Sequence, residues 1–271
     1  MDYNYNNQNN TDGYESGWRQ IDDNYSQTQY ADYSDLTGGF ESGNSVHTAM
    51  HQLKSLMYES VISRAFLFMV IALLITAFSA YTAPFLMISW LSRNPMNLYI
   101  LFGLEIAIVL VSNVTLRKNN AILTACLFTA YSYINGATLG IILLVYTGTS
   151  VAAVFLMCAA MFGVMAVIGL VTQKDLSSFG NLLLMGLVGI IIASLVNVFI
   201  LHSSGLDLLI SIVGVLLFVG LTAYDTQKIK RSVQYATTDN INTLALAGAF
   251  ELYLDFINLF LDLLRLFGKR K

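Results

Sequence analysis

Near its C-terminus the chain places Glu251, Asp255, Asn258 and Asp262 at i, i+4, i+7 and i+11 within the otherwise apolar run 251–265. On a helix that spacing aligns three acids and an amide along one face, opposite a face of Leu, Ile and Phe. In hydrocarbon each charged group costs roughly 3 kcal/mol or more, so such a stripe has to face protein, trapped water or an ion path. Further polar groups interrupt other apolar runs: Glu105 mid-run with Asn113 nearby and Arg117 at the end, then Asn135, Asn197 and Asp225. For the amides the economical reading is interhelical hydrogen bonding, worth about 0.6 kcal/mol each. Carboxylates inside apolar helices default to ion or proton sites, which singles out Glu105, Asp225 and Asp255. Glu251 and Asp262 lie nearer the ends of their run, where they reach water or extend an ion pathway together with Asn258.

The elements that must position these groups follow from composition. Hydrophobic residues make up 56% of the 271 and charged residues only 11%, against about 25% charged in soluble domains. Several apolar runs reach the ~18 residues needed to cross a bilayer. The expected fold class is therefore all-α, a polytopic membrane protein. Seven spans are expected near 61–85, 98–116, 121–146, 151–171, 182–201, 206–224 and 244–267, with short connections that make sequential helices antiparallel neighbours. The helix carrying the polar stripe is the axis of the bundle. Pro84 and Pro95 are read as marking the first loop, and the small residues Gly136, Gly140, Gly186 and Gly189 as points of close helix approach.

Two domains are expected: a disordered acidic Asn/Gln/Tyr-rich tail over residues 1–50, and the seven-helix domain over 51–271. The tail has eight acids against Arg19 as its sole base and no apolar periodicity, so it buries too little surface to offset its ordering entropy. No cleaved signal peptide is expected, which leaves targeting to the first span. Lys54, Arg117, Lys118, Lys174, Lys228, Lys230 and Arg231 fall on one side of the membrane and Arg93 on the other, placing the tail in the cytoplasm by the positive-inside rule. The bases after the last span, Arg265 and Lys269 to Lys271, break that pattern. A re-entrant last segment would remove the conflict, but its ~24 residues favour a full crossing. Cys126 and Cys158 are read as small buried core residues, and His47 and His51 as solvated side chains of a short amphipathic lead-in. No basic patch suggests nucleic acid, and no GxSxG, HExxH or phosphate-cradling loop suggests an enzyme.

The segments Tyr224-Asp225-Thr226-Gln227-Lys228-Ile229 and 252–260, with Leu263-Leu264-Arg265, Leu104-Glu105 and Arg117, closely resemble the signatures of the Bax inhibitor-1 (transmembrane BAX inhibitor motif) family over roughly residues 50 to 268. The resemblance implies a seven-helix bundle with its C-terminal helix central. It also implies a pH-sensitive calcium leak gated by Asp225 and Asp255, with Arg117 pairing with Asp225. Glu105 would be a pathway carboxylate and, with Asp225 and Asp255, a calcium ligand, since calcium takes hard oxygen donors. Two carboxylates forced together in low dielectric share one proton. With that proton kept, a hydrogen bond ties the last two helices; with it lost, repulsion parts them unless a cation compensates.

The expected partners are the lipid bilayer, calcium and protons, and membrane proteins, with no cofactor besides the transported ion. Two rival readings stand beside the leak. One is a non-transporting regulator that binds membrane proteases or stress and cell-death proteins. The other is a proton-coupled transporter of a small solute, against which counts the lack of an inverted repeat or a broken helix pair. The expected location is a bacterial inner membrane, or the endoplasmic reticulum or Golgi if the source is eukaryotic.

Overall fold

The structure, a computed structural model, describes residues 43–271 apart from Pro95 and Thr238; for 43–55, 57, 86–88, 91, 92 and 98 it describes the backbone alone. The expected tail up to residue 42, and the side chains of His47 and His51, lie outside the described residues. The chain divides into a unit ending at Gln52 and a compact unit Leu53–Lys271, and the second carries all that follows. Its helices are α1 (Gly43–Arg93), α2 (Met96–Arg117), α3 (Ala121–Leu143), α4 (Gly148–Val171), α5 (Ser177–Val196), α6 (Ser204–Ser232) and α7 (Ile241–Phe267). A π-type turn, Asn197–Leu201, extends α5, and a short 3₁₀ turn, Val233–Tyr235, follows α6. Seven helices among the described residues are long and apolar enough to cross a membrane.

Burial ranks the helices. Sixteen of the 27 residues of α7 are buried, against Gly180 alone in α5. The apolar face of α7 is as enclosed as its polar stripe. Phe250 and Tyr253 stack with Phe128 and Tyr131 of α3 at ring separations of 5.0–5.9 Å, while Phe256 meets Phe155 and Phe162 of α4. The outer helices instead expose large aliphatic side chains such as Leu74, Ile106, Leu156 and Met185. That pattern is what a hydrocarbon solvent allows and water does not.

α7 runs the whole length of the bundle. Its first residues lie beside the start of the α1 span, where Arg64 donates to Asn242 Oδ1 at 2.5 Å. Beyond its far end the chain closes onto the α3–α4 turn: Thr147 N–H donates to Lys269 O at 2.9 Å and Lys271 N–H to Val145 O at 2.9 Å. The first-loop expectation is corrected at Pro84, which sits inside α1. Proline removes the hydrogen bond to the carbonyl four residues earlier, here that of Ala80. Gly140 of α3 packs directly over Ala80 O and the Pro84 ring, leaving no room for a Cβ, so the freed carbonyl is covered by a neighbour and the helix continues. Pro95 lies outside the described residues. Gly136 packs likewise on Thr76 O, Gly186 takes the tip of Leu217, and Gly189 faces open space. Cys158 is buried as expected, whereas Cys126 is exposed on α3.

Candidate functional site

α6 and α7 form an antiparallel hairpin, and the register of that hairpin decides which polar groups meet. Asp225 lies seven residues from the end of α6 and is 9% exposed; Asp255, at mid-α7, is 5% exposed. Their carboxyl groups lie within hydrogen-bonding reach of each other across the helix interface. Two carboxylates repel, so a hydrogen bond there requires one proton on the pair. Asp255 Oδ2 is sealed from solvent and no N–H or hydroxyl donor among the described residues reaches it. An unsatisfied buried oxygen costs about 1–3 kcal/mol, and more if charged.

One turn toward the loop, Lys228 Nζ meets Glu251 Oε1 at 2.5 Å, both side chains half-exposed. The electrostatic surroundings of Asp225 and Asp255 are therefore Glu251 and Lys228. Arg117, expected to pair with Asp225, is exposed at the end of α2 and makes no ion pair with any described acid. The nearby cation is instead the base three residues after Asp225 on its own helix, a neighbour that i, i+3 spacing alone would have identified.

The remaining residues of the stripe separate into distinct environments. Asn258 Nδ2 donates to Leu254 O of its own helix at 2.8 Å. Asp262 is buried over Gly214 of α6, which has no room for a Cβ there, and accepts from Arg265 Nη1 at 3.3 Å. Glu105 belongs to another cluster, where Thr138 Oγ1 donates to its Oε1 at 2.7 Å. Close by, Tyr253 and Thr76 share a hydroxyl hydrogen bond of 2.7 Å, and Tyr253 and Asn135 meet at 3.4 Å. Glu105, Asp225 and Asp255 thus do not converge, and among the described residues no group of three or more His, Cys, Asp or Glu side chains could hold a metal ion. The physical reason is helical register: Glu105 faces α3, while Asp225 faces α7. Of the amides, Asn135 bonds between helices, Asn113 binds its own helix, and Asn197 accepts from Ser203 N–H and donates to Asp207 Oδ1, pinning the α5–α6 turn.

The loop end of α6 is fixed by groups that sequence reasoning did not single out. Gln227 donates to Lys174 O and accepts from Leu176 N–H, and Arg231 pairs with Asp175 at 2.5 Å. The Ser177 backbone N–H holds the exposed Asp175 carboxyl below its ordinary range, helped by the Arg231 guanidinium. These contacts tie α6, and with it Asp225, to the α4–α5 turn.

Residues 58–271 match the family described as inhibitor of apoptosis-promoting Bax1. The chain is 43% identical over 218 residues to the inner membrane protein YbhL of Escherichia coli strain K12, covering 79% of this chain and 93% of that one. It is 40% identical over 220 residues to an uncharacterized protein of Borreliella burgdorferi, covering 80% and 94%. It is also 40% identical over 183 residues to an uncharacterized membrane protein of Streptococcus pyogenes serotype M1, covering 68% and 79%.

Proposed function

Because this chain belongs to the Bax inhibitor-1 family, we propose that it is a calcium leak of a bacterial inner membrane whose rate is set by protonation of the Asp225–Asp255 pair. The observation that carries this reading is the meeting of two buried carboxyl groups across the interface of two spanning helices. With one proton on the pair, α6 and α7 are joined by a carboxyl–carboxylate hydrogen bond. Without it, two negative charges oppose each other in low dielectric and attract a cation, for which calcium with its preference for carboxylate oxygen is suited. Lys228 competes for that negative charge and is itself held by Glu251, so the four groups act as one unit. Glu105 and Asp262, in separate polar pockets along the bundle, are further steps on the ion's route. The N-terminus faces the cytoplasm, with the basic turns.

The test is calcium entry into liposomes holding the purified protein, between about pH 5 and pH 8, the range in which such a shared proton would exchange. Wild type should show a flux that changes with pH, and Asp225→Asn or Asp255→Asn should flatten the profile, because an amide cannot exchange the proton. Flux no greater than that of empty liposomes at every pH would end the channel reading. A regulator that acts by binding membrane proteins would then be pursued by capture from native membranes.

A further inference from the structure

A groove of about 290 Å³ opens on the flank of the bundle between α1, α3 and α7. Its walls include Phe68 and Ile75 from α1, Ile122 and Ala125 from α3, and Asn242 and Leu246 from α7. The groove is open sideways: Ile122, on its rim, is 80% exposed and Ile71 44%. In a protein that spans a membrane, a sideways opening faces lipid.

One end of the groove is polar. Asn242 lies in its wall and accepts from Arg64. Arg64 stands one helical turn before Phe68, on the same face of α1. It is exposed, and its partner is a neutral amide; among the described residues no acid pairs with it, Glu59 and Asp239 at the same end included. From Arg64 to Ile75 the helix rises about 17 Å, close to half of a hydrocarbon core of about 30 Å. An apolar channel one leaflet deep, headed by a guanidinium without an anion, matches a single acyl chain below a phosphate.

We infer that this groove is a binding site for one anionic phospholipid of the leaflet at the basic end, with an acyl chain between α1 and α3 and its headgroup phosphate on Arg64 and Asn242. A guanidinium presents paired N–H donors suited to phosphate, and each basic group near the headgroups favours an anionic lipid about fivefold. Occupancy would brace α1 against α3 and the start of α7, away from the Asp225–Asp255 pair.

The protein is taken up in nanodiscs of equal phosphatidylglycerol and phosphatidylcholine, released, and analysed by native mass spectrometry for the lipid it keeps. Wild type should retain phosphatidylglycerol over phosphatidylcholine by about fivefold, and excess inorganic phosphate should not displace it. Arg64→Gln, at an exposed position, should bring the ratio to about one without loss of helical circular dichroism. Ala125→Trp, which fills the groove, should reduce total retained lipid. Equal retention of the two lipids by wild type, an unchanged preference in Arg64→Gln, or displacement by phosphate would each overturn the proposal. Because the wild-type competition decides on its own, a failure of Ala125→Trp to fold leaves the test intact.

Discussion

Single atoms decide much of this bundle. Tyr253 is fully buried, and its hydroxyl holds Thr76 of α1 and Asn135 of α3 to the central helix. Tyr253→Phe keeps the ring contacts and leaves Asn135 Oδ1 without its donor, while Thr76 Oγ1 still donates to Ser132 O, so thermal or denaturant unfolding in detergent should show a loss of about 1 kcal/mol; an unchanged midpoint would mean that Asn135 finds water instead. Asp175 offers a pH prediction with a definite sign. Its carboxyl is held below the ordinary carboxylate range by the Ser177 N–H and Arg231, so its contribution is present above that range and fades as pH falls through its lowered folded value. The Ser177 amide should therefore lose protection, measured against its intrinsic exchange rate at each pH, as pH falls, and should already be unprotected at neutral pH in Asp175→Ala, with the α7 amides unaffected. Arg117 and Lys228 show how little residue type alone says: both are bases beside expected acids, and the one that meets an acid is Lys228, which stands opposite Glu251 where α6 and α7 pair.

At the scale of elements, the helices approach closely where glycine lets them. On α4, Gly169 packs against Ala223 O and Thr226 of α6, two residues from Asp225, with no space for a Cβ. Gly163 on the same helix has nothing within 4 Å of where a Cβ would sit. Gly169→Ala should lower stability by about 1–3 kcal/mol through overpacking, whereas Gly163→Ala should be neutral or stabilising, because alanine is the better helix former by about 1 kcal/mol. Equal effects on the unfolding midpoint would contradict the packing account. The polar stripe of α7 was legible from its i, i+4, i+7, i+11 spacing, and Asp255 and Asp262 are indeed buried while Glu251 and Asn258 are half-buried. Pro84 was misread because a proline ends a helix only where its freed carbonyl lacks cover, and Gly140 supplies that cover from 56 residues away.

Across the whole molecule, α7 is held at both ends, and the far end is held mainly through the backbone of the residues that follow it. The 269–271 segment exchanges hydrogen bonds with Val145 and Thr147, and Lys269 N–H donates to Ser150 Oγ at 2.8 Å. Removing residues 269–271 should cost about 0.5–1.5 kcal/mol per lost bond and quicken hydrogen exchange through 144–150, leaving the Lys228–Glu251 end unchanged. Exchange that rose equally at both ends would show the bundle loosening as a unit instead.

Hydropathy and spacing were enough to determine seven spanning helices and a polar central one, because a bilayer imposes length and apolarity on each span separately, and a carboxylate in hydrocarbon must find shelter wherever the fold puts it. The family was legible for the same reason: its signatures sit on the helices that carry that burden. Which carboxylates meet is a matter of register between distant helices. The pairing of Asp225 with Asp255 was expected from the family resemblance and not from spacing; only the tertiary structure set Lys228 rather than Arg117 beside them, sent Glu105 to Thr138 on another face, and opened the groove beneath Arg64, since no local spacing encodes the rotation of one helix against another.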